Sequence, residues 1–231
     1  MWDDCHNVRD LGGLPTTEGR RTRWGAVVRS DSRERLTAAG WVALRAHGVR
    51  TIVDLRDPAE YDRSAALPSS IDLVRAPVLD LGDGEFWGEG RWQGAGQSAD
   101  FFLAALRRWP SRFAKAVRAV ARARPGGVLI HCQAGRDRTG IVAAAILTLA
   151  GVSDEAIVAD YAASATSLGP LYEQWAADAM DTSERQRILA ANRSDERELR
   201  RVLTELDLSR HIVDGGLSAA DVRRLRARLV G

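Results

Sequence analysis

The stretch Gly127-Val128-Leu129-Ile130-His131-Cys132-Gln133-Ala134-Gly135-Arg136-Asp137-Arg138-Thr139-Gly140, followed by Ile141-Val142-Ala143-Ala144-Ala145-Ile146-Leu147, decides how the rest of the chain is read. An apolar run feeds a tight, polar, glycine-containing loop, and a helix-like run leads out. The order is strand, loop, helix start, with a thiol at the entrance of the loop. A helix N-terminus presents backbone N–H groups that lack helical partners, and the dipole adds about half a positive charge there. Such a loop binds a phosphate-like anion and favours the thiolate, the nucleophilic form of cysteine. Arg138, with five residues between it and Cys132, adds a planar fork suited to two phosphate oxygens. Thr139 is placed to hydrogen-bond the Cys132 sulfur, and Gly135 and Gly140 allow backbone angles and approaches that a Cβ would hinder. The bland alternative is a buried cysteine before a solvated charged turn, and it leaves the joint spacing of thiol, guanidinium and hydroxyl unexplained.

The pattern Cys, five residues, Arg, then Ser or Thr resembles the signature of cysteine-dependent phosphatases. In particular it resembles the bacterial tyrosine phosphatases whose loop reads HC-x-A-G-K-D-R-T-G. The present chain carries Arg136 where that pattern has Lys, which bears on any preference for lipid headgroups. Further segments are similar in order: Asn7-Val8-Arg9-Asp10-Leu11-Gly12-Gly13, Val28-Arg29-Ser30-Asp31, Val53-Asp54-Leu55-Arg56, Ala159-Asp160-Tyr161, and the ending from Gly216-Leu217-Ser218 to Leu229. The resemblance implies a phosphocysteine mechanism with Cys132 as nucleophile. It implies Arg138 and the loop residues Gln133, Ala134, Gly135, Arg136 and Thr139 as the phosphate cradle. His131 is expected to be a buried neighbour that favours the thiolate. No metal or other cofactor is called for. The implied partners are phosphotyrosine proteins, with phosphoserine, phosphothreonine or phosphoinositides second, and no nucleic acid.

The departing oxygen needs a proton, and two aspartates compete to supply it. Asp137 lies in the loop itself, and an aspartate here is a proposed acid in the resembling family. Asp80 follows a strand in Pro77-Val78-Leu79-Asp80, where a mobile loop could carry it over the pocket, and Asp83 is a weaker version of the same idea. Asp137 is preferred. Glu60, four residues after Arg56, reads as its structural ion-pair partner.

The chain has 231 residues and is 45% hydrophobic, with a net charge of +2. That is enough for a core and gives no nucleic-acid signal. Lys115 is the sole lysine among the basic residues, which reflects composition rather than function. Cys5 and Cys132 make no disulfide framework. Cys5 reads as incidental, with protection of the nucleophile from over-oxidation as the alternative. The start has no basic and apolar pattern of a secretory signal, and the run from Ile141 to Ala150 is about half a membrane span, so a cytoplasmic protein is expected. Proteins of the resembling family can be exported without such a signal, and that alternative stays open.

Strands alternating with helices predict an α/β fold: a mainly parallel sheet with helices on both faces, in one domain over 1–231. Strands are expected within 20–30, at 49–55, 71–78 and 128–131. Helices are expected at 37–47 with Thr37 as cap, at 99–124 with Ser98 as cap and a break near Pro110, at 138–150, 153–163, 170–190 and 194–206, and after the Ser218 cap. The glycine-rich segment 82–98, with Trp87 and Trp92, reads as a candidate lid or a flexible loop. The loop after the central strand then falls at a carboxyl end of the sheet, where such folds bind ligands.

Overall fold

In the computed structural model of the protein, residues 2, 4–62, 64–65, 67–88, 92, 98–192 and 195–231 are described. Five strands, β1 (Arg9–Asp10), β2 (Val27–Ser30), β3 (Val49–Asp54), β4 (Asp72–Arg75) and β5 (Gly127–His131), form one sheet in the order β1-β2-β5-β3-β4. All pairings are parallel except β1 with β2. The central strand β5 is buried along its whole length, which is why its apolar residues run together instead of alternating with polar ones. Its side chains still alternate between faces. Val128 and Ile130 join a large core on one side, and Leu129 joins a smaller core on the other.

The small face is covered by α1 (Ala38–Ala46) and the N-terminal segment, through Leu44, Leu36, Trp2 and Cys5. The large face carries α3 (Ala99–Arg108), α4 (Pro110–Arg122), α5 (Asp137–Leu149), α6 (Asp154–Ala177), α8 (Glu196–Glu205), α9 (Leu208–Asp214) and α10 (Ala219–Leu229). The first turns of α1, α3 and α10 are stabilised by side-chain caps. Thr37 accepts from Gly40 N (3.1 Å), Ser98 from Phe101 N (3.2 Å) and Ser218 from Asp221 N (3.2 Å), each worth about 1 kcal/mol. The expected break is at Trp109, which leaves helical geometry (φ −127°, ψ 50°) before Pro110 opens α4, as a proline at the first helical position does.

Three expectations need correction. The helices read at 153–163 and 170–190 are instead α6, running unbroken through Pro170, and α7 (Thr182–Ala190). Pro170 cannot donate to the Thr166 carbonyl. Yet the buried positions Ile157, Tyr161, Ser164, Leu168, Leu171 and Tyr172 keep one continuous stripe across it, and burial of that stripe outweighs one lost bond. The strand read at 71–78 pairs only over Asp72–Arg75. Two short helices, α9 and α2 (Gly84–Trp87), were not expected.

In the candidate lid, residues 89–91 and 93–97 lie outside the described residues. The described part is packed. Phe86 stacks on Trp92 (5.4 Å between centroids) and contacts Trp109 (4.4 Å), while Trp87 donates its ring N–H to Asp80 O (2.6 Å). No helix of the described residues is long and apolar enough to cross a membrane.

Cys5 lies in the small-face core, 5% exposed. Burial, reinforced by the charge of Asp31, pushes its thiol up to about 12. A thiol with that pKa is almost wholly protonated at pH 8 and is a poor partner for exchange or oxidation. Iodoacetamide at pH 8 is therefore expected to spare Cys5 in the folded protein and to modify it after unfolding in urea, with mass spectrometry reading the site. Alkylation of native Cys5 at the rate of a free cysteine would overturn this reading.

Candidate active site

Cys132 follows the last residue of β5 and Asp137 opens α5, so the loop Cys132–Arg136 connects the central strand to a helix N-terminus at the carboxyl edge of the sheet. The direction of its backbone is fixed from outside. Gln133 O accepts from Ser32 N (3.0 Å) and Ala134 O from Asn7 Nδ2 (3.0 Å). Gly135 O accepts from Asn7 Nδ2 (2.9 Å) and Arg29 Nη2 (2.7 Å), and Arg136 O accepts from Gly140 N (2.6 Å). The first three carbonyls are thus taken by the surrounding protein and the fourth by the turn of α5 that follows. None of the backbone N–H groups of residues 133 to 136 donates to a described residue. An anion-binding nest needs this arrangement.

Gly135 makes the turn possible. Its φ is +65°, and a Cβ there would sit 2.2 Å from Ser30 O. Gly140 faces the ring of Tyr161, where a Cβ would be 2.7 Å from Cδ2. Both glycines are required by close approach as the sequence suggested, and Gly135 also by its backbone angle.

The donors that hold the loop are themselves held. Arg29 is fully buried and pairs with Asp160 of α6 (2.5 Å), and Arg9 of β1 pairs with the same carboxylate (2.6 Å). Arg9 also donates to Asn7 Oδ1 (2.5 Å), and the Asn7 backbone N–H donates to Asp31 (3.1 Å). Burial alone would raise the Asp160 pKa, but Arg29 and Arg9 outweigh it and hold the group below the usual carboxylate range. The segments around Asn7, Arg29 and Asp160 are thus the supporting frame of the loop.

The predicted site residues separate into groups. Cys132 is 3% exposed. Arg138, in the first turn of α5, is bound by both oxygens of Glu60, with Nη2 to Oε1 at 2.8 Å and Nη1 to Oε2. Burial would lower its pKa, but the neighbouring Cys132 and Glu60 hold it above its ordinary value. Gln133 is exposed, and Ala134 packs against the cluster of Leu168, Leu171 and Tyr172.

Arg136 turns into the protein. Its guanidinium donates to Ala191 O (2.8 Å), pairs with Asp137 (3.1 Å) and lies over the Tyr172 ring at 5.3 Å. The Thr139 hydroxyl is buried without a hydrogen-bond partner among the described residues, so the expected bond to the Cys132 sulfur is not made. His131 is fully buried, with Nδ1 3.1 Å from Cys132 O and Nε2 3.7 Å from Asp54. Burial lowers its pKa against the opposing pull of Asp54, which favours the neutral ring.

The two candidate acids are each engaged by an arginine, Asp137 by Arg136 and Asp80 by Arg112, and they differ in their place. Asp137 lies within the loop–helix junction beside Arg138. Asp80 is paired with Arg112, and its Oδ1 also accepts from Gly82 N (3.1 Å). Asp83 caps α2 and pairs with Arg108 (2.8 Å). Among the described residues no group of three or more His, Cys, Asp or Glu side chains could hold a metal ion.

Sequence reading misassigned Glu60. The fork of Arg56 is instead taken by Asp54 (2.8 Å) and Glu34 (2.6 Å). The four-residue spacing predicts contact only on a continuous helix, and the helical turn here is just Pro58–Glu60. The signal that could have shown otherwise is Asp57-Pro58-Ala59-Glu60, a capping-box pattern that folds Glu60 back on Asp57.

The chain is 34% identical over 165 residues to a presumed tyrosine-protein phosphatase of Cupriavidus necator, covering 69% of this chain and 60% of that protein's length. It is 28% identical to the triple specificity protein phosphatase PtpB of Mycobacterium tuberculosis, covering 97% and 96%. A crystal structure of P. aeruginosa TpbA in complex with pTyr aligns with a TM-score of 0.37 and 19% identity, covering 80% of this chain and 90% of that one. A model of the tyrosine phosphatase family matches residues 1–231, and the chain belongs to that family.

Proposed function

We propose that the protein is a protein-tyrosine phosphatase that hydrolyses phosphate monoesters through a phosphocysteine. One observation carries this reading: a thiol and a guanidinium flank a loop whose Gln133, Ala134 and Gly135 carbonyls are bonded to the surrounding protein, while its amides donate to no described residue. In the first step the Cys132 thiolate attacks phosphorus. The S–P bond forms, the P–O bond to the leaving group breaks, and a carboxylic acid gives its proton to the departing oxygen. Arg138 and the loop amides bind the equatorial oxygens, where charge spreads in a loose transition state. In the second step water attacks phosphorus, the carboxylate takes the proton from that water, and the thiolate leaves.

Asp137 is the better candidate for the acid because it belongs to the loop–helix junction itself. Both are paired with an arginine, Asp137 with Arg136 and Asp80 with Arg112, so it is place and not freedom that favours Asp137. Phosphotyrosine is the first substrate class, with phosphoserine and phosphothreonine second. The name of the mycobacterial relative fits that breadth. Phosphoinositides rank lower. The added charge in the loop, Arg136, is occupied by Ala191 O, Asp137 and Tyr172 and does not present itself to a headgroup.

Release of phosphate from a phosphotyrosine peptide is expected to fall to background in Cys132→Ser. Binding of inorganic phosphate should persist in that variant, because the amides and Arg138 remain. EDTA should leave the wild-type rate unchanged. Turnover by Cys132→Ser, or loss of wild-type turnover in EDTA, would refute the mechanism.

The acid is identified by leaving group. An ester of a very acidic phenol barely needs a proton, whereas a phosphotyrosine peptide does. Asp137→Asn is expected to lose roughly a hundredfold to ten-thousandfold on the peptide, far less on the activated ester, and to lose the basic limb of the pH–rate profile. Asp80→Asn should be milder and equal on both substrates. The reverse pattern would move the role to Asp80, and a uniform loss from Asp137→Asn would make that residue a loop-positioning group.

A further inference from the structure

We propose that the groove between Trp24, the bend Pro125-Gly126 and helix α10, at the edge of the sheet opposite the catalytic loop, docks an acidic polypeptide segment that carries an aromatic side chain. The groove opens where two strands begin: Gly25 and Ala26 precede β2, and Gly126 precedes β5. Cys132 follows the other end of β5, roughly 15 Å away at about 3.3 Å per residue. The groove is therefore separate from the phosphate cradle. Its cavity has a volume of about 520 Å³, and a second of about 550 Å³ shares Ala121 and Arg224 with it. Two adjoining open hollows suit a length of extended chain. A compact small molecule is instead taken up by a pocket that encloses most of its surface.

Trp24 supplies the apolar anchor. Among the described residues it is the one aromatic ring in the set of exposed large apolar side chains, at 73% exposure. Its position is built. The ring lies against Gly12-Gly13: a Cβ on Gly12 would sit 2.8 Å from Cδ2, and one on Gly13 2.8 Å from Cζ2. Gly13 N donates to Thr22 O (2.8 Å) and Arg23 N to Leu229 O (2.7 Å), which ties the segment down on both sides. A large ring held in water costs free energy that a partner recovers by covering it. The charge beside it has one sign. Arg224, Ala227 and Arg228 stand at i, i+3 and i+4 on α10, hence on one face. Small Ala227 leaves the space between the two arginines open. Arg23 lines the same cavity, and no acidic residue lines either hollow. Asp221, which pairs with Arg122 and Arg224, is itself buried. Arg23 and Arg228 pair with no side-chain carboxylate among the described residues. They donate to backbone oxygens, Arg23 to Gly231 O (2.9 Å) and Arg228 to Gly126 O (2.7 Å). Arg228 Nε is buried without a partner among the described residues, and burial holds the Arg228 pKa below the ordinary arginine value. Cations without counter-charges beside an open indole match carboxylate side chains interleaved with an aromatic one. Beyond the groove the basic residues are paired again, Arg226 with Glu18 (3.8 Å) and Arg124 with Asp72 (3.0 Å). The positive strip is thus short, and a polynucleotide, which needs a continuous basic track, fits it less well.

The probe is a fluorescein-labelled, unphosphorylated copolymer of glutamate and tyrosine, titrated with the full chain and read by fluorescence anisotropy. It is expected to bind the wild-type protein, and to bind Trp24→Ala about tenfold more weakly, the scale of a lost aromatic anchor. Arg224→Glu should weaken it to a similar degree, and added salt should weaken it in every case. Saturating tungstate, which targets the catalytic loop, should leave the affinity unchanged. Polyglutamate without tyrosine should bind more weakly than the copolymer and should not distinguish Trp24→Ala from wild type. Absence of binding by the wild-type protein, equal binding by Trp24→Ala, or displacement by tungstate would overturn the proposal. So would polyglutamate binding as tightly as the copolymer, which would remove the aromatic anchor. A poly-dT oligonucleotide binding more tightly than the copolymer would overturn it too, by making the groove a nucleic-acid site. Trp24→Ala removes an exposed ring and leaves the core intact, so it decides the matter should Arg224→Glu, which faces Asp221, fail to fold. None of these measurements requires turnover, so the outcome stands apart from that of the phosphatase reading.

Discussion

The site depends on where the carbonyl oxygens of Gln133, Ala134, Gly135 and Arg136 point. Amide and carbonyl are set against each other across a peptide plane. A short loop can therefore gather its N–H groups on one anion only if its C=O groups diverge and find donors elsewhere. Left unpaired in a buried setting, each carbonyl would cost on the order of 1–3 kcal/mol. Here the donors come from three separate parts of the chain, the Asn7 amide, the Arg29 guanidinium and the Ser32 backbone. The anion cradle is thus a property of the tertiary structure and not of the loop alone.

The frame that supplies those donors is ionic and buried. Asp160 binds Arg29 and Arg9 together, with its side chain 7% exposed. A buried ion pair adds little net stability compared with apolar packing, but losing one partner strands a charge and costs several kcal/mol. Such a triad therefore acts chiefly to fix position. It ties the second turn of α6 to strands β1 and β2, and through Arg29 to Gly135 O. The continuous burial stripe of α6 sets the rotation at which Asp160 meets the two arginines, and a helix broken at Pro170 would have had less packing to set it.

Much of this was legible in the sequence because local signals and tertiary need agreed. The run Val128–His131 had to be a central strand, Thr37, Ser98 and Ser218 had to be caps, and Pro110 had to divide a helix. The strand–loop–helix spacing of Cys132 and Arg138 placed both at the carboxyl edge of the sheet. What was not legible required knowledge of partners distant in sequence. Arg136 looked like a second charge for the ligand, but Tyr172 and Ala191, far along the chain, draw it into the protein. Thr139 looked like a partner for sulfur, but its hydroxyl is enclosed elsewhere. Glu60 looked like the partner of Arg56 because spacing alone ignores that Arg56 had two nearer carboxylates. The segment from 153 to 190 looked like two helices, 153–163 and 170–190, because the burial stripe that runs through Pro170 is set by tertiary packing.

The misreadings of Arg136 and Glu60 share a cause that bears on mechanism. Around the loop, guanidinium groups are assigned to carboxylates in fixed combinations: Arg29 and Arg9 to Asp160, Arg56 to Asp54 and Glu34, Arg138 to Glu60, Arg136 to Asp137. A site built from unpaired arginines would attract any anion and would also rearrange as the charge moved. Pairing most of them leaves as free donors the loop amides, the helix N-terminus and one edge of Arg138. Those donors are immobile before the substrate arrives. Transition-state stabilisation is largest when dipoles need not reorient as charge develops, so the carboxylates around the loop assist the chemistry by making the remaining positive groups few and rigid.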